Sequence, residues 1–226
     1  MTEVDIDSMN TTKIWLKNYP KGIPAEIDSL GFEDLKDFLD KTLIHGGDRT
    51  AFISMDKKLS YKMLDEYSRD FGAYLHSIGL KSGDKIALMM PNIFQYPIAL
   101  FGAVRAGIIV VNTNPLYTPR EMKLQFQDSG VKAIVIADNF AANLQEIIKE
   151  TKIEHVVLTS IGEMLGAKGV IVNLVIKYIK KLVPTFQLTN TISFSKALKL
   201  GEGKELPEFN SNLDDTVILQ YTGGTT

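Results

Sequence analysis

Four short apolar runs set the rhythm of the chain. Lys85–Met90 (KIALMM), Ile108–Asn112 (IIVVN), Ala133–Asp138 (AIVIAD) and His155–Thr159 (HVVLT) begin roughly every 22–25 residues, with a helical pattern between each pair. That alternation predicts βα units and a parallel sheet. The runs are almost continuously apolar instead of alternating, which predicts strands covered by helices on both faces. The fold class expected is therefore α/β, a parallel sheet with helices on both faces.

The flanking pattern adds local detail. Residues 1–30 read as an irregular lead-in, with Trp15, Tyr19, Pro20 and Pro24 suggesting a segment laid across a surface. A helix is predicted from Phe32 to Leu43, and a short hairpin from Ala51–Met55 and Lys58–Ser60 around Asp56-Lys57. Ser60 suits the N-cap of a helix from Tyr61 to Ile78, with Leu64, Phe71, Leu75 and Ile78 as its apolar stripe and Gly79 as its stop. Asn92 is a candidate cap for a helix carrying Gln95. Thr118-Pro-Arg-Glu121 has the form of a capping box with proline at the first helical position, which accounts for Glu121 structurally and leaves Arg120 to face solvent. Tyr117 reads as a packing residue, and Asn112 and Asn114 as shapers of the strand-to-helix turn.

Val170–Val183 departs from the rhythm. On a helical wheel Asn173, Lys177, Lys180 and Lys181 share one narrow face, and the rest is Val, Ile, Leu and Tyr. Two readings stay open: a helix lying in a membrane interface with Lys177, Lys180 and Lys181 as the contacts, or a core helix whose lysines face water.

The chain closes on Thr216-Val-Ile-Leu-Gln-Tyr-Thr-Gly-Gly-Thr-Thr226, a β-branched and aromatic run followed by glycines among threonines. Gly223 and Gly224 have no side chain to hold a ligand away, so backbone N–H groups there could approach phosphate oxygens closely. Thr222, Thr225 and Thr226 add hydroxyls suited to phosphate or magnesium. The spacing is not that of the GxxxxGK[ST] loop, and a plain turn is the alternative on local grounds.

Composition narrows the classes. A formal net charge of −2 gives no electrostatic case for nucleic acid as a partner. With no cysteine, disulfides and thiol catalysis are excluded within these 226 residues. His45, His76 and His155 show no metal-ligand spacing. The acidic start MTEVDIDSMN lacks the basic and apolar pattern of a secretion signal.

Several segments together carry a resemblance. Met89-Met-Pro-Asn92, Gln95-Tyr-Pro97, Ala99-Leu-Phe-Gly102, Arg105-Ala-Gly107 and Val110–Glu121 (VVNTNPLYTPRE) resemble bacterial long-chain fatty-acid–CoA ligases, of the adenylate-forming (AMP-binding) family. Lys177–Pro184 and Leu219–Thr226 look like the same subgroup. The resemblance implies the N-terminal subdomain of the adenylate-forming fold, with residues 31–226 an incomplete, truncated large domain ending inside the ATP phosphate loop. It implies ATP, Mg2+ and coenzyme A as cofactors and co-substrates, and a long-chain fatty acid as the acid. Tyr221, Thr222, Gly223, Gly224, Thr225 and Thr226 fall on the opening half of the ATP loop, with Thr222 at a magnesium position.

The same resemblance places the remaining catalytic parts, including the lysine-bearing C-terminal lid, outside residues 1–226, so no catalytic residue is assigned and the chain alone is expected to be inactive. It implies a cytoplasmic protein, peripheral to an anionic inner membrane face, and leaves a homodimer open. The competing readings are a non-catalytic truncated paralogue that binds a lipid surface or a partner, and a relative acting on a shorter or aryl acid.

Overall fold

A computed structural model describes Trp15, residues 18–26 and residues 31–222. The chain divides into two units, Met1–Phe32 and Glu33–Thr226. In the first, Pro20 O accepts from the Ile23 N–H at 3.2 Å to close a turn through Gly22.

The second unit opens with α1, Leu35–Gly46, which starts three residues later than the sequence pattern suggests because Asp34 is its cap. The Asp34 carboxylate accepts from the Asp37 N–H at 2.7 Å. The hairpin follows as β1, Thr50–Ser54, and β2, Lys57–Ser60, paired antiparallel. Its turn residues Met55 and Asp56 both take positive φ, 47° and 65°, the combination that matches the strand twist in a two-residue turn. Helix α2, Tyr61–Ser77, is capped by Ser60, whose hydroxyl accepts from the Met63 N–H. Gly79, at φ 96°, turns the chain out of it.

The βα units then run in order: β3 Lys85–Met89, α3 Gln95–Arg105, β4 Ile109–Asn112, α4 Pro119–Ser129, β5 Ala133–Ala137, α5 Ala141–Ile147, β6 His155–Thr159, α6 Ala167–Leu174, β7 Thr191–Ser193, α7 Phe194–Gly201 and β8 Ile218–Gln220. The six strands β3 to β8 form one sheet in the order β7-β6-β5-β3-β4-β8, every neighbour pair parallel. Alternate residues of the central strands feed two separate cores. Ile86, Leu88, Val110, Val135 and Val157 face α2, α3 and α7, whereas Ala87, Met89, Val111, Ile134 and Ile136 face α4 and α5. All of β5 is buried, as a strand covered on both faces must be.

The helices on the first face meet closely. A Cβ on Gly72 would lie 2.7 Å from Gly102 O, and one on Gly102 would lie 2.8 Å from Ser68 O, so these glycines let α2 and α3 touch backbone to backbone. Arg105, 1% exposed, closes the far end of that contact by pairing with Asp65 Oδ1 at 2.8 Å and Asp40 Oδ1 at 2.7 Å.

Two expectations are corrected. Asn92 does not cap α3: the helix begins at Gln95 after Phe94, with no side-chain cap. Gln95 is instead turned inward, donating to Thr159 Oγ1 at 2.8 Å and to Ser160 O at 3.0 Å, so its amide secures the end of β6. The core-helix reading of residues 170–183 also fails. Only Gly169 of α6 is buried, and Asn173 is the residue that points inward, accepting from the Gly162 N–H and donating to Ser160 Oγ, both at 2.8 Å. The helix ends in a π-helical turn at Val175–Ile179, and Lys181 takes a positive φ of 50°, so Lys180 and Lys181 lie past the helix, where a helical wheel does not place them.

Candidate functional site

The chain leaves β3 toward α3 on one face and β4 toward α4 on the other. Open parallel sheets form a crevice where successive connections diverge in this way, outside the carboxyl ends of the strands. A cleft of about 470 Å³ lies there, lined by Leu88, Met90, Asn92 and Tyr96 after β3, Asn112–Asn114 and Tyr117 after β4, and Gln220 and Tyr221 after β8.

The cleft floor is a chain of neutral hydrogen bonds from the first turn of α3 to the ends of β4 and β8. Tyr96 Oη donates to Asn112 Oδ1 at 2.9 Å, and Asn112 Nδ2 donates to Gln220 Oε1 at 2.9 Å. The Asn112 carbonyl accepts from Gln125 Nε2 of α4 at 2.9 Å. Asn112 is thus more than a turn shaper: it fixes β8 against β4 at the point where β8 ends. The turn itself is set by Asn114, whose Oδ1 accepts from the Leu116 N–H, and by the Thr118 capping box. Glu121 accepts from the Thr118 N–H and hydroxyl, and those two bonds hold its carboxyl below the ordinary range. Arg120 is exposed and Tyr117 packs on the second core. Both match the structural reading of that segment.

Tyr221 and Thr222 leave β8 at this edge. The Tyr221 ring does not point at the cleft mouth alone: its hydroxyl donates to Asp128 at the end of α4. Burial first, then the hydrogen bond and charge of Asp128, push its phenol up to about 12. Its side chain is therefore engaged, and only its backbone remains for a ligand. Thr222 is exposed. Gly223, Gly224, Thr225 and Thr226 lie outside the described residues. Among the described residues no group of three or more His, Asp or Glu side chains is placed to hold a metal ion.

Sequence reasoning missed the Tyr96–Asn112–Gln220 link. The available signal was two polar side chains, Asn112 and Gln220, at the ends of apolar strands. A second chain at the end of β6 was also missed: Thr159 Oγ1 donates to Glu163 Oε2 at 2.8 Å, and Glu163 Oε1 accepts from the Ser195 N–H at 2.8 Å. A smaller cavity of about 310 Å³ sits at the opposite, amino end of the sheet, lined by Ser82, Gly107 and residues 209–212. It is far from the strand ends that bind ligands in such sheets.

The family profile described as AMP-binding enzyme matches residues 39–226. The chain belongs to the AMP-binding enzyme family. It is 49% identical, over 95% of its length, to the long-chain-fatty-acid–CoA ligase of Yersinia pestis, and 32% identical over 96% to that of Bacillus subtilis. It spans 38% and 39% of those relatives. The fold is that of solved members: the long-chain-fatty-acid–CoA ligase of Archaeoglobus fulgidus superposes with a TM-score of 0.67 at 19% identity, covering 92% of this chain and 37% of that one. A luciferase-like enzyme from the mealworm Zophobas morio gives 0.67 at 16% identity, covering 89% and 42%. This AMP-binding chain thus carries the N-terminal third or so of the adenylate-forming fold, and Gln220 and Tyr221 at the end of β8 line its cleft.

Proposed function

We propose that these 226 residues form the N-terminal part of a long-chain fatty-acid–CoA ligase. The observation that supports the reading is the placement of β8: it joins the sheet beside β4 and brings Gln220 and Tyr221 to the carboxyl-edge cleft, shortly ahead in sequence of Gly223, Gly224, Thr225 and Thr226. The high identity to named long-chain ligases supports the choice of acid.

In the proposed reaction a carboxylate oxygen of the fatty acid attacks the α-phosphorus of ATP. The bond from that phosphorus to the bridging oxygen breaks and pyrophosphate leaves. The thiol of coenzyme A then attacks the acyl carbon, loses its proton, and releases AMP. Two anions must meet in the first step, so the phosphates need neutralisation. Thr222 to Thr226 would supply hydroxyl and backbone N–H donors, and bound magnesium would supply positive charge. The Tyr96–Asn112–Gln220 link would hold the strand feeding that loop in register. The cleft residues named above carry no charge, so a cation is needed from elsewhere. The reading also puts the protein in the cytoplasm, peripheral to the inner membrane face, where a long-chain acid partitions. Among the described residues no helix is long and apolar enough to cross a membrane.

Palmitate-dependent exchange between ATP and pyrophosphate tests the first step. The protein purified from its source should exchange, and the isolated 226 residues should stay at the no-enzyme background. Exchange by the isolated residues would overturn their dependence on further segments. Absence of exchange in the source protein would favour a non-catalytic lipid- or partner-binding module.

A further inference from the structure

Strand β8 is three residues long, and the glycines that follow it by two positions carry no side chain to fix the run they belong to. Where that run sits therefore depends on the side chains just ahead of it. Consecutive strand residues point to opposite faces, and each face of the sheet holds one of them. Gln220 accepts from Asn112 on the side of α3. Leu219 and Tyr221, two residues apart, pack on the second core beneath α4, and the Tyr221 hydroxyl donates to Asp128 of that helix.

The Asp128 end of this contact is firmly held. Helix α4 starts at the Thr118 capping box and buries Met122 and Phe126 completely. Lys123 pairs with Glu150, and Gln127 Nε2 donates to Glu150 O at 2.9 Å, so the helix is also tied to the end of the α5 segment. Gln125, 3% exposed and nearly one turn before Asp128, donates to the Asn112 carbonyl at 2.9 Å. One helix thus grips the ends of both neighbouring strands, β4 through Gln125 and β8 through Asp128.

We propose that Asp128 is a positioning residue for the nucleotide: through Tyr221 it sets where residues 222–226 meet the phosphates. A carboxylate repels phosphate, so Asp128 has no direct part in holding ATP. Its influence passes through the tyrosine hydroxyl. The inference rests on the ligase reading for the identity of the ligand, ATP, and on the contact between α4 and the end of β8 for the residue.

The test is a double-mutant cycle in the whole protein, expressed in its source organism. Binding of ATP with magnesium is read by titration calorimetry, and palmitate-dependent exchange is read beside it. Asp128→Ala and Tyr221→Phe should each raise the Kd for ATP by roughly tenfold, and the double variant should be no weaker than either single one, because both remove the same contact. Asp128→Asn keeps an acceptor oxygen for the hydroxyl and should bind within about twofold of wild type. The KM for ATP should follow the Kd while the KM for palmitate stays unchanged, a split that a general loss of stability does not produce. Wild-type ATP affinity in Asp128→Ala would overturn the proposal. So would losses that add in the double variant, because Asp128 would then act apart from Tyr221. Should Asp128→Ala fail to fold, Tyr221→Phe, which loses one hydroxyl, decides: unchanged ATP affinity there overturns the proposal too. The two ideas fail separately. ATP binding with the expected cycle but no exchange would remove the ligase reading alone, and exchange with a flat cycle would remove this inference alone. A wild-type protein that binds no ATP would remove both.

Discussion

Tyr221 shows how a single residue was half legible. Its place before the glycines marks it as part of the loop, but nothing in the sequence says that its hydroxyl reaches back 93 positions to Asp128. The phenol is raised from 10.0 to about 12, so the folded state holds the proton more tightly than the unfolded chain does. That contribution to stability is complete below pH 10 and is lost as pH rises from 10 to about 12. Tyr221→Phe should therefore remove part of the alkaline loss of stability, read as denaturation midpoints across that range, together with the last step in phenolate absorbance. Superimposable alkaline curves for both proteins would show that the Asp128 contact is not formed. Asn112 follows the same logic. The residue is visible as a polar end to an apolar strand, but its two partners, Tyr96 and Gln220, come from elements brought together only by the sheet order.

Elements were read well wherever the cause is local. The central strands, the Ser60 cap and the Thr118 capping box depend on residues within a turn of one another, and each is found as expected. Elements set by tertiary contact were read poorly. The β7 strand is three residues long and α7 eight, too short for periodicity to declare them. A helical wheel over residues 170–183 holds only to Ile179, because the helix ends there in a π turn and Lys180 and Lys181 lie beyond it. The α2–α3 contact gives a prediction at this scale. Gly to Ala inside a helix ordinarily stabilises by about 1 kcal/mol. At Gly102 the added methyl would meet Ser68 O at 2.8 Å and Phe71 Cβ at 3.0 Å, so Gly102→Ala should instead destabilise. The loss should be about 1–3 kcal/mol, typical of overpacking, measured by urea unfolding. A stabilised variant would mean that the helices stand further apart.

At the scale of the whole molecule, periodicity declared a parallel sheet but not its order. Strand order depends on which way each crossover runs, and the apolar runs are too alike to encode it. That order bears on the function proposed: with β3 and β4 sending their helices to opposite faces and β8 added beside β4, Gln220 and Tyr221 come to line the crevice. The most direct test gives palmitate, ATP and coenzyme A to the protein purified from its source and follows the products by mass spectrometry. The account predicts palmitoyl-CoA and AMP in equal amounts, with pyrophosphate. Release of ADP, or no acid-dependent nucleotide cleavage at all, would contradict it.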